Sequence, residues 1–149
     1  MSVSMLRSPQ SQVGFDIEKI EFSFHQELDL NKIKLHYQND LHFCIQMFEV
    51  CLHTVPIEVA NMQDAGEQRD YLALATISAK LKSNFDLVGH KEMSAILDCI
   101  ELYAKMKNPT VLDLCFVFTS KVDGKLAIIR NEVLKISHHL KQQRKSHIL

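Results

Sequence analysis

The sequence predicts an all-α protein: an up-and-down antiparallel four-helix bundle with a short extra N-terminal helix and a flexible N-terminal tail. Three observations support this fold class. Glycine and proline are scarce, at 4 and 3 of 149 residues, whereas turn-rich β-sheet architectures need many of both. Apolar residues recur in steps of three and four, which is the repeat of a helix with one buried face. Four such segments, joined by short connections, bury their apolar faces most economically against one another.

The first 28 residues are the least regular part of the chain. Residues 1–15 are rich in Ser, Gln and Pro, which is typical of a disordered tail. Residues 16–28 are left open, because the spacing of their apolar residues fits a strand about as well as a short helix. The bundle is predicted over residues 29–142. Residues 143–149 are predicted to be a frayed tail, which explains their local basic charge without a binding role.

The first two predicted helices have clear starts. A short helix over residues 30–38 is capped by Asp29 or Asn31, and a longer one follows Asp40. The apolar stripe of the longer helix alternates steps of four and three: Leu41, Ile45, Phe48, Leu52, Val55, Val59 and Met62. Pro56 lies inside this stripe. It is expected to kink or divide the helix, because proline has no backbone N–H.

The third and fourth helices are predicted over residues 69–88 and 90–106. Gly89 separates them and is placed to end the third helix in the left-handed conformation that favours glycine. The inward-facing residues of the third helix are Leu74, Ile77, Leu81, Phe85 and Val88. Those of the fourth are Met93, Ile96, Ile100 and Tyr103.

The last helix follows a break at residues 107–109, where Asn108 can cap it and Pro109 suits its first turn. Its stripe is the most regular in the chain: Leu112, Cys115, Phe118, Val122, Leu126, Ile129, Val133, Ile136 and Leu140. Gly124 lies within it and weakens it by about 1 kcal/mol relative to alanine. At about 1.5 Å per residue this helix approaches roughly 45 Å, longer than its partners.

Bulk composition excludes several function classes. Lys plus Arg (17) nearly cancels Asp plus Glu (18), so no net field draws the protein to nucleic acid or to an anionic membrane. No signal-peptide stretch or membrane-spanning run is recognised, and a cytoplasmic location is expected. No cofactor or metal site is predicted, since adjacent His138 and His139 do not face one ligand from a helix. The oligomeric state stays open.

The four cysteines form no CxxC pair, and their spacings match no zinc site. They are Cys44, Cys51, Cys99 and Cys115. Each lies on or beside an apolar stripe, so all four are predicted to be small buried hydrophobic residues in a reducing compartment.

A polar face on the third helix has a residue without functional chemistry at its centre. Ala75, Ala79, Lys82, Ser83 and Asp86 lie at helical spacings that stack them on the outer side. The central residue is Ala79, whose side chain is a methyl group. Spacing alone favours an ordinary solvated helix face.

The segment SAKLKSNFDLVG, residues 78–89, resembles the signature of histidine-containing phosphotransfer (HPt) domains, A-H-x-L-K-G-S-S with a glycine ten residues after the histidine. Leu81, Lys82 and Gly89 match this signature, and Lys80 takes its free position. Ala79 stands where the family has its phosphorylated histidine. Three other segments are also similar to the family: LDLNKIKLHYQNDLHFCIQMFEVCLHTVP and RDYLALATI upstream, and ILDCIELYA downstream. The resemblance therefore covers residues 28–140.

The resemblance implies a module of two-component phosphorelay signalling that docks the receiver domain of a response regulator or hybrid sensor kinase. Alanine has no nucleophile, so phosphoryl transfer at this site is excluded, and the chain is not expected to be an enzyme. Lys82 matches the lysine beside the family's phosphoryl group, and Ser83 matches a small residue that lets the partner approach. The predicted binding residues are Ala79, Lys80, Lys82, Ser83, Asp86 and Gly89, with no catalytic residue.

Two alternatives stay open. In the first alternative, the chain is an active phosphotransfer protein whose native histidine has been mutated to Ala79. Alanine is the usual replacement because it preserves the helix. In the second alternative, the chain is a helical interaction or scaffold protein unrelated to phosphorelay. The nearest histidine, His90, is predicted to be a solvated residue at a helix start rather than a substitute phosphoacceptor.

Overall fold

Five α-helices form the described part of the chain, which comprises residues 23–38 and 40–148 of this computed structural model. They are α1 (Leu30–Tyr37), α2 (Leu41–Glu67), α3 (Tyr71–Leu87), α4 (Lys91–Lys105) and α5 (Val111–Ile148). The described residues contain no strand, which confirms the predicted all-α class. The predictions for residues 1–22 lie outside the described residues.

The helices begin where side chains bind free backbone N–H groups. Of the two predicted caps for α1, Asp29 is the correct one, and its carboxylate accepts hydrogen bonds from two backbone N–H groups of the first turn. Asp40 and Asp70 cap α2 and α3 in the same way. Before α5, the Asn108 side chain accepts a hydrogen bond of 3.0 Å from the Thr110 backbone N–H. Such caps contribute about 1 kcal/mol each.

Gly89 follows the end of α3 in the predicted left-handed conformation, with φ of +72°. Its carbonyl accepts a hydrogen bond of 2.7 Å from the backbone N–H of Asp29. A Cβ at this position would lie 3.2 Å from the backbone N and O of Asp29 and 3.1 Å from Ile33. Glycine is therefore required here both by its φ angle and by the close approach of α1.

The apolar stripes meet in a single helical core. α2 contacts α3 and α5, α4 also contacts α3 and α5, and α1 lies against α2. The largest fully buried apolar side chains come from all four long helices: Phe48, Met62, Leu74, Leu81, Phe85, Met93, Leu97, Ile100, Phe118, Ile129 and Ile136. Burying a side chain of this size contributes about 2 kcal/mol.

Residues 23–29, here called the strap, connect α2 and α5 before the first helix begins. The Phe24 ring lies 6.2 Å from the Phe48 ring of α2. The backbone N–H of His25 donates a 2.9 Å hydrogen bond to Glu132 of α5. Phe48 and Glu132 therefore lie at the same level of the fold. Between residues 23 and 28 the strap forms neither a strand nor a helix.

The sequence overestimates the interruptions in the long helices. α2 is not divided at Pro56; it is one helix of 27 residues with Pro56 inside it. Val55 and Val59 on either side of Pro56 are buried, so packing compensates for the lost backbone hydrogen bond. α5 likewise continues through residues 143–148, which the sequence assigns to a frayed tail.

Two small residues that flank the apolar stripes, Ala75 and Cys99, lie on the side of their helix opposite to the predicted one. Ala75 is buried, and it lies about two helical turns before Lys82, whose partner Asp98 is on α4. Cys99 is exposed on the outer side of α4, whereas Cys44, Cys51 and Cys115 are buried as predicted. Burial raises the pKa of the Cys51 thiol to about 12, which keeps it protonated and unreactive.

α2 has the length and mean hydropathy of a membrane-spanning helix, although no such run is recognised in the sequence. Its stripe residues Phe48, Cys51 and Val55 are completely buried within the fold. The core helix of a folded protein can have the same length and mean hydropathy.

Candidate functional site

Five exposed residues lie on one side of α3 and form a surface that is here called the α3 face. They are Leu72, Thr76, Ala79, Lys80 and Ser83. Ala79 lies at the centre, with its methyl group exposed. The exposure of Leu72 at the start of the face was not anticipated from the sequence.

Lys82 lies at the edge of the α3 face, toward α4. Its ammonium is 3.1 Å from the Asp98 carboxylate, and this hydrogen bond raises the pKa of Lys82. Lys82 therefore has an anionic partner within the fold. Any anionic partner at Ala79 must compete with Asp98 for this lysine.

Asp86 connects three helices. Its carboxylate accepts a hydrogen bond of 2.7 Å from the Ser94 hydroxyl on α4 and lies 3.5 Å from the Lys32 ammonium on α1. Lys82–Asp98 and Asp86–Ser94 together show that α3 and α4 run antiparallel. Asp86 is thus already engaged within the fold.

The structure brings together three of the six predicted binding residues. Ala79, Lys80 and Ser83 lie on the α3 face, and Lys82 borders it. Lys80 forms no ion pair with any residue in the described part of the chain. Gly89 is buried beneath the strap and α1, so it shapes the end of α3 without reaching the surface.

The two hydroxyl groups of the α3 face are bound to the helix backbone. Thr76 donates to the Leu72 carbonyl at 3.1 Å, and Ser83 donates to the Ala79 carbonyl at 3.3 Å. Neither hydroxyl has a histidine or carboxylate partner among the described residues. A hydroxyl without an adjacent base is a poor nucleophile, so neither hydroxyl is activated for covalent chemistry by the described residues.

His90 is buried, with 1% of its surface exposed, so the predicted solvated position is wrong. Its Nδ1 accepts a hydrogen bond of 3.4 Å from the Met93 backbone N–H and caps α4. The ring proton therefore lies on Nε2, which is 3.1 Å from the Glu27 carboxylate. With both nitrogens engaged and the ring buried, His90 cannot serve as a phosphoacceptor.

Lys125 completes this cluster, which joins the strap to α4 and α5 and is here called the strap clamp: Glu27, His90, Glu92 and Lys125. The Lys125 ammonium lies 2.7 Å from Glu27 and 3.3 Å from Glu92. Its hydrogen bond is the main cause that lowers the pKa of Glu27. Burial lowers the pKa of His90.

The ligand atoms of Glu27, His90 and Glu92 lie within 4.8 Å of one another, a spacing compatible with a metal ion. Two features argue against a metal site. Two ammonium groups already neutralise the two carboxylates, since Lys125 pairs with Glu27 and Glu92 and Lys121 pairs with Glu92 at 3.1 Å. The Met93 N–H fixes the histidine tautomer with its proton on Nε2, the nitrogen that would have to bind the ion. The clamp is therefore a structural ion-pair network.

The clamp was missed from the sequence, because its members are separated by 63 positions between Glu27 and His90 and by 98 between Glu27 and Lys125. The one local signal was the position of His90. It directly follows a glycine that ends one helix and directly precedes the next, which is where an N-cap residue lies.

Comparisons with known proteins add no relative on which to base a function. The resemblance to phosphotransfer domains therefore stays a prediction made from the motif and helix order. No family model matches this chain, and no match was found among the curated proteins or the solved structures.

Proposed function

We propose that this protein is a degenerate histidine-phosphotransfer module, which docks the receiver domain of a response regulator or hybrid sensor kinase without accepting a phosphoryl group. The observation that carries the proposal is the position of Ala79. Its methyl group is exposed at the centre of the α3 face, where the resembled family has its reactive imidazole.

The finer fold in this proposal is an up-and-down antiparallel four-helix bundle of α2 to α5. Its support is the contact pattern, since each of these helices touches two others of the set. The Lys82–Asp98 and Asp86–Ser94 pairs make α3 and α4 antiparallel. The short connections at residues 68–70 and 106–110 favour antiparallel neighbours at the other two junctions.

Docking would depend on the shape of the α3 face more than on its charge. Ala79 and Ser83 are small, so the backbone of α3 can approach a partner closely, while exposed Leu72 supplies apolar area. Lys80, which has no ion pair with the described residues, would meet the acidic pocket that the resemblance implies for a receiver domain. Charges of this kind chiefly set encounter rate and orientation.

The test is a binding screen against isolated receiver domains from the same organism. We expect at least one to bind. Lys80→Glu with Lys82→Glu should weaken that binding by about tenfold, which corresponds to about 1.4 kcal/mol. The matched control is Lys105→Glu with Lys107→Glu, which changes the net charge equally at two exposed lysines outside the α3 face.

Absence of binding to every receiver domain would contradict the proposal. Equal weakening by the double control variant would also contradict it, because the effect would then follow overall charge rather than the α3 face.

A further inference from the structure

Charge is distributed unevenly along the chain despite the formal net charge of −1. Glu132 is the last acidic residue in the sequence. The Lys and Arg residues that follow it are Lys135, Lys141, Arg144 and Lys145. Lys135 is neutralised by Glu132 at 3.0 Å. The other three form no ion pair with any described residue, and all three are exposed.

These three cations lie on a helical overhang. α2 and α5 run antiparallel, because Met62 and Leu112 line one depression while Phe48 and Glu132 are level at the strap. The start of α2 at Leu41 therefore lies opposite about residue 139 of α5. Lys141 lies about 3 Å beyond this level, and Arg144 and Lys145 lie about 8 and 9 Å beyond it, which is comparable with the Debye length of about 8 Å at physiological salt. Arg144 and Lys145 are therefore the cations that are farthest from the acidic residues of the fold and most screened from them.

Exposed apolar side chains lie at the same end of the molecule. α1 crosses this end, where the Tyr37 hydroxyl donates to the Leu87 carbonyl at the end of α3. Leu35 of α1 is 74% exposed and Phe43 of α2 is 44% exposed. Lys34 is also exposed and unpaired among the described residues. We call this set the cationic end: Lys34, Leu35, Phe43, Lys141, Arg144 and Lys145.

We propose that the cationic end binds the surface of membranes that contain anionic phospholipids. Each Lys or Arg near such a surface contributes about 1 kcal/mol, and insertion of Leu35 and Phe43 adds apolar burial. Peripheral attachment commonly needs two weak signals acting together, and this end supplies both. The net charge of the whole chain predicts no membrane partner, because it does not show that the basic residues are concentrated at one end of the molecule.

Two other occupants fit less well. A second copy docking through the same end would bring cations against cations, which opposes association. A nucleic acid would engage Lys141, Arg144 and Lys145 but leave Leu35 and Phe43 without a role. The cationic end is separate from the α3 face, so this proposal does not depend on the proposed function.

The first test is co-sedimentation of the full chain with vesicles of phosphatidylcholine, with and without phosphatidylserine. Binding is expected only with phosphatidylserine, and it should fall as salt rises. The triple variant Lys141→Glu, Arg144→Glu, Lys145→Glu should lower the partition coefficient by about a hundredfold. Its helix content is checked by circular dichroism.

The matched control is Arg69→Glu, Lys105→Glu, Lys107→Glu, which changes the net charge equally at the opposite end of the helices. It should leave partitioning within about threefold of the parent chain. Equal loss in both triples overturns the proposal. Binding independent of phosphatidylserine, or binding to duplex DNA without binding to vesicles, also overturns it.

The second test uses a fluorescent reporter, since the chain contains no tryptophan. Tryptophan emission in Leu35→Trp should shift to shorter wavelength on addition of phosphatidylserine vesicles, because the indole enters the membrane interface. Phe116→Trp is the control, as Phe116 is 73% exposed on the first turns of α5 at the opposite end. No shift in Leu35→Trp, or equal shifts in both variants, would overturn the proposal.

Discussion

The strap clamp and the α3 face are two polar regions of one small fold, and they are built in opposite ways. In the clamp, each charged side chain is within hydrogen-bond distance of another, and His90 is buried at their centre. On the α3 face, Ala79 and Lys80 contact solvent, and the Thr76 and Ser83 hydroxyls bind only their own helix.

The difference separates residues that hold the fold from residues that are free to bind. The buried histidine of the clamp has a structural role, although histidine is the residue type that phosphoryl transfer would require. The exposed Ala79, which the proposed function assigns to the phosphohistidine position, has no reactive group. Substitutions in the clamp should therefore change stability, and substitutions on the α3 face should change binding.

The largest effect is expected beside the clamp, at Gly89. Gly89→Ala should lower the free energy of unfolding by about 3 kcal/mol, because alanine is disfavoured at this φ angle and its Cβ would crowd the Asp29 backbone. Urea unfolding measures it. Gly124→Ala is the control, since nothing lies within 4 Å of a Cβ there, and it should stabilise α5 by about 1 kcal/mol. Equal effects of the two changes would contradict the close approach at Gly89.

Within the clamp, His90→Asn should lower stability by about 2 kcal/mol near pH 7, because asparagine retains the cap but loses the buried bond to Glu27. Burial lowers the pKa of His90 from its ordinary 6.5. The unfolded chain therefore takes up the proton first, and stability should fall as pH drops through about 6.5.

Urea unfolding of both proteins between about pH 7.5 and pH 5.5 tests this step. The variant should lack it. Both proteins should still lose stability at lower pH, because the pKa values of Glu27 and Glu92 are lowered from 4.5 by Lys125 and, for Glu92, first by Lys121. An identical slope near pH 6.5 in the two proteins would show that His90 does not cause it.

A smaller effect is expected on the inner side of α3. The Ser78 hydroxyl is buried and has no hydrogen-bond partner within the described part of the chain. Ser78→Ala should raise the free energy of unfolding by about 1 kcal/mol, because an unsatisfied polar group is removed and alanine favours the helix. Ser83→Ala, on the exposed side, should change it by less than about 0.5 kcal/mol. A destabilised Ser78→Ala would indicate that the hydroxyl has a partner.

Local pattern predicted most of the helical framework. The spacing of apolar residues located α2 to α5, and the cap at Asp29 and the turn at Gly89 followed from residue type. Ala75 and Cys99 were assigned to the wrong side for a common reason. Both lie beside a stripe, and which edge of a stripe is covered depends on where the neighbouring helix packs.

The site was harder to predict than the fold. Helical spacing placed Ala79 and Ser83 on one exposed side, and Lys80 was added only by the resemblance, but spacing could not show that Lys82 pairs with Asp98 on another helix. Nor could it show that residues far apart in sequence converge on His90. Such contacts depend on the level at which two helices meet, which no local pattern specifies.

The most direct measurement of the central proposal is the uptake of acid-labile phosphate from a phosphorylated receiver domain that binds the α3 face. The unaltered chain should take up none, and Ala79→His should take up a measurable amount, since the exposed site tolerates a side chain and then has a nucleophile. Label on the unaltered chain, or no uptake by Ala79→His despite intact receiver binding, would contradict the assignment of Ala79 to the phosphohistidine position.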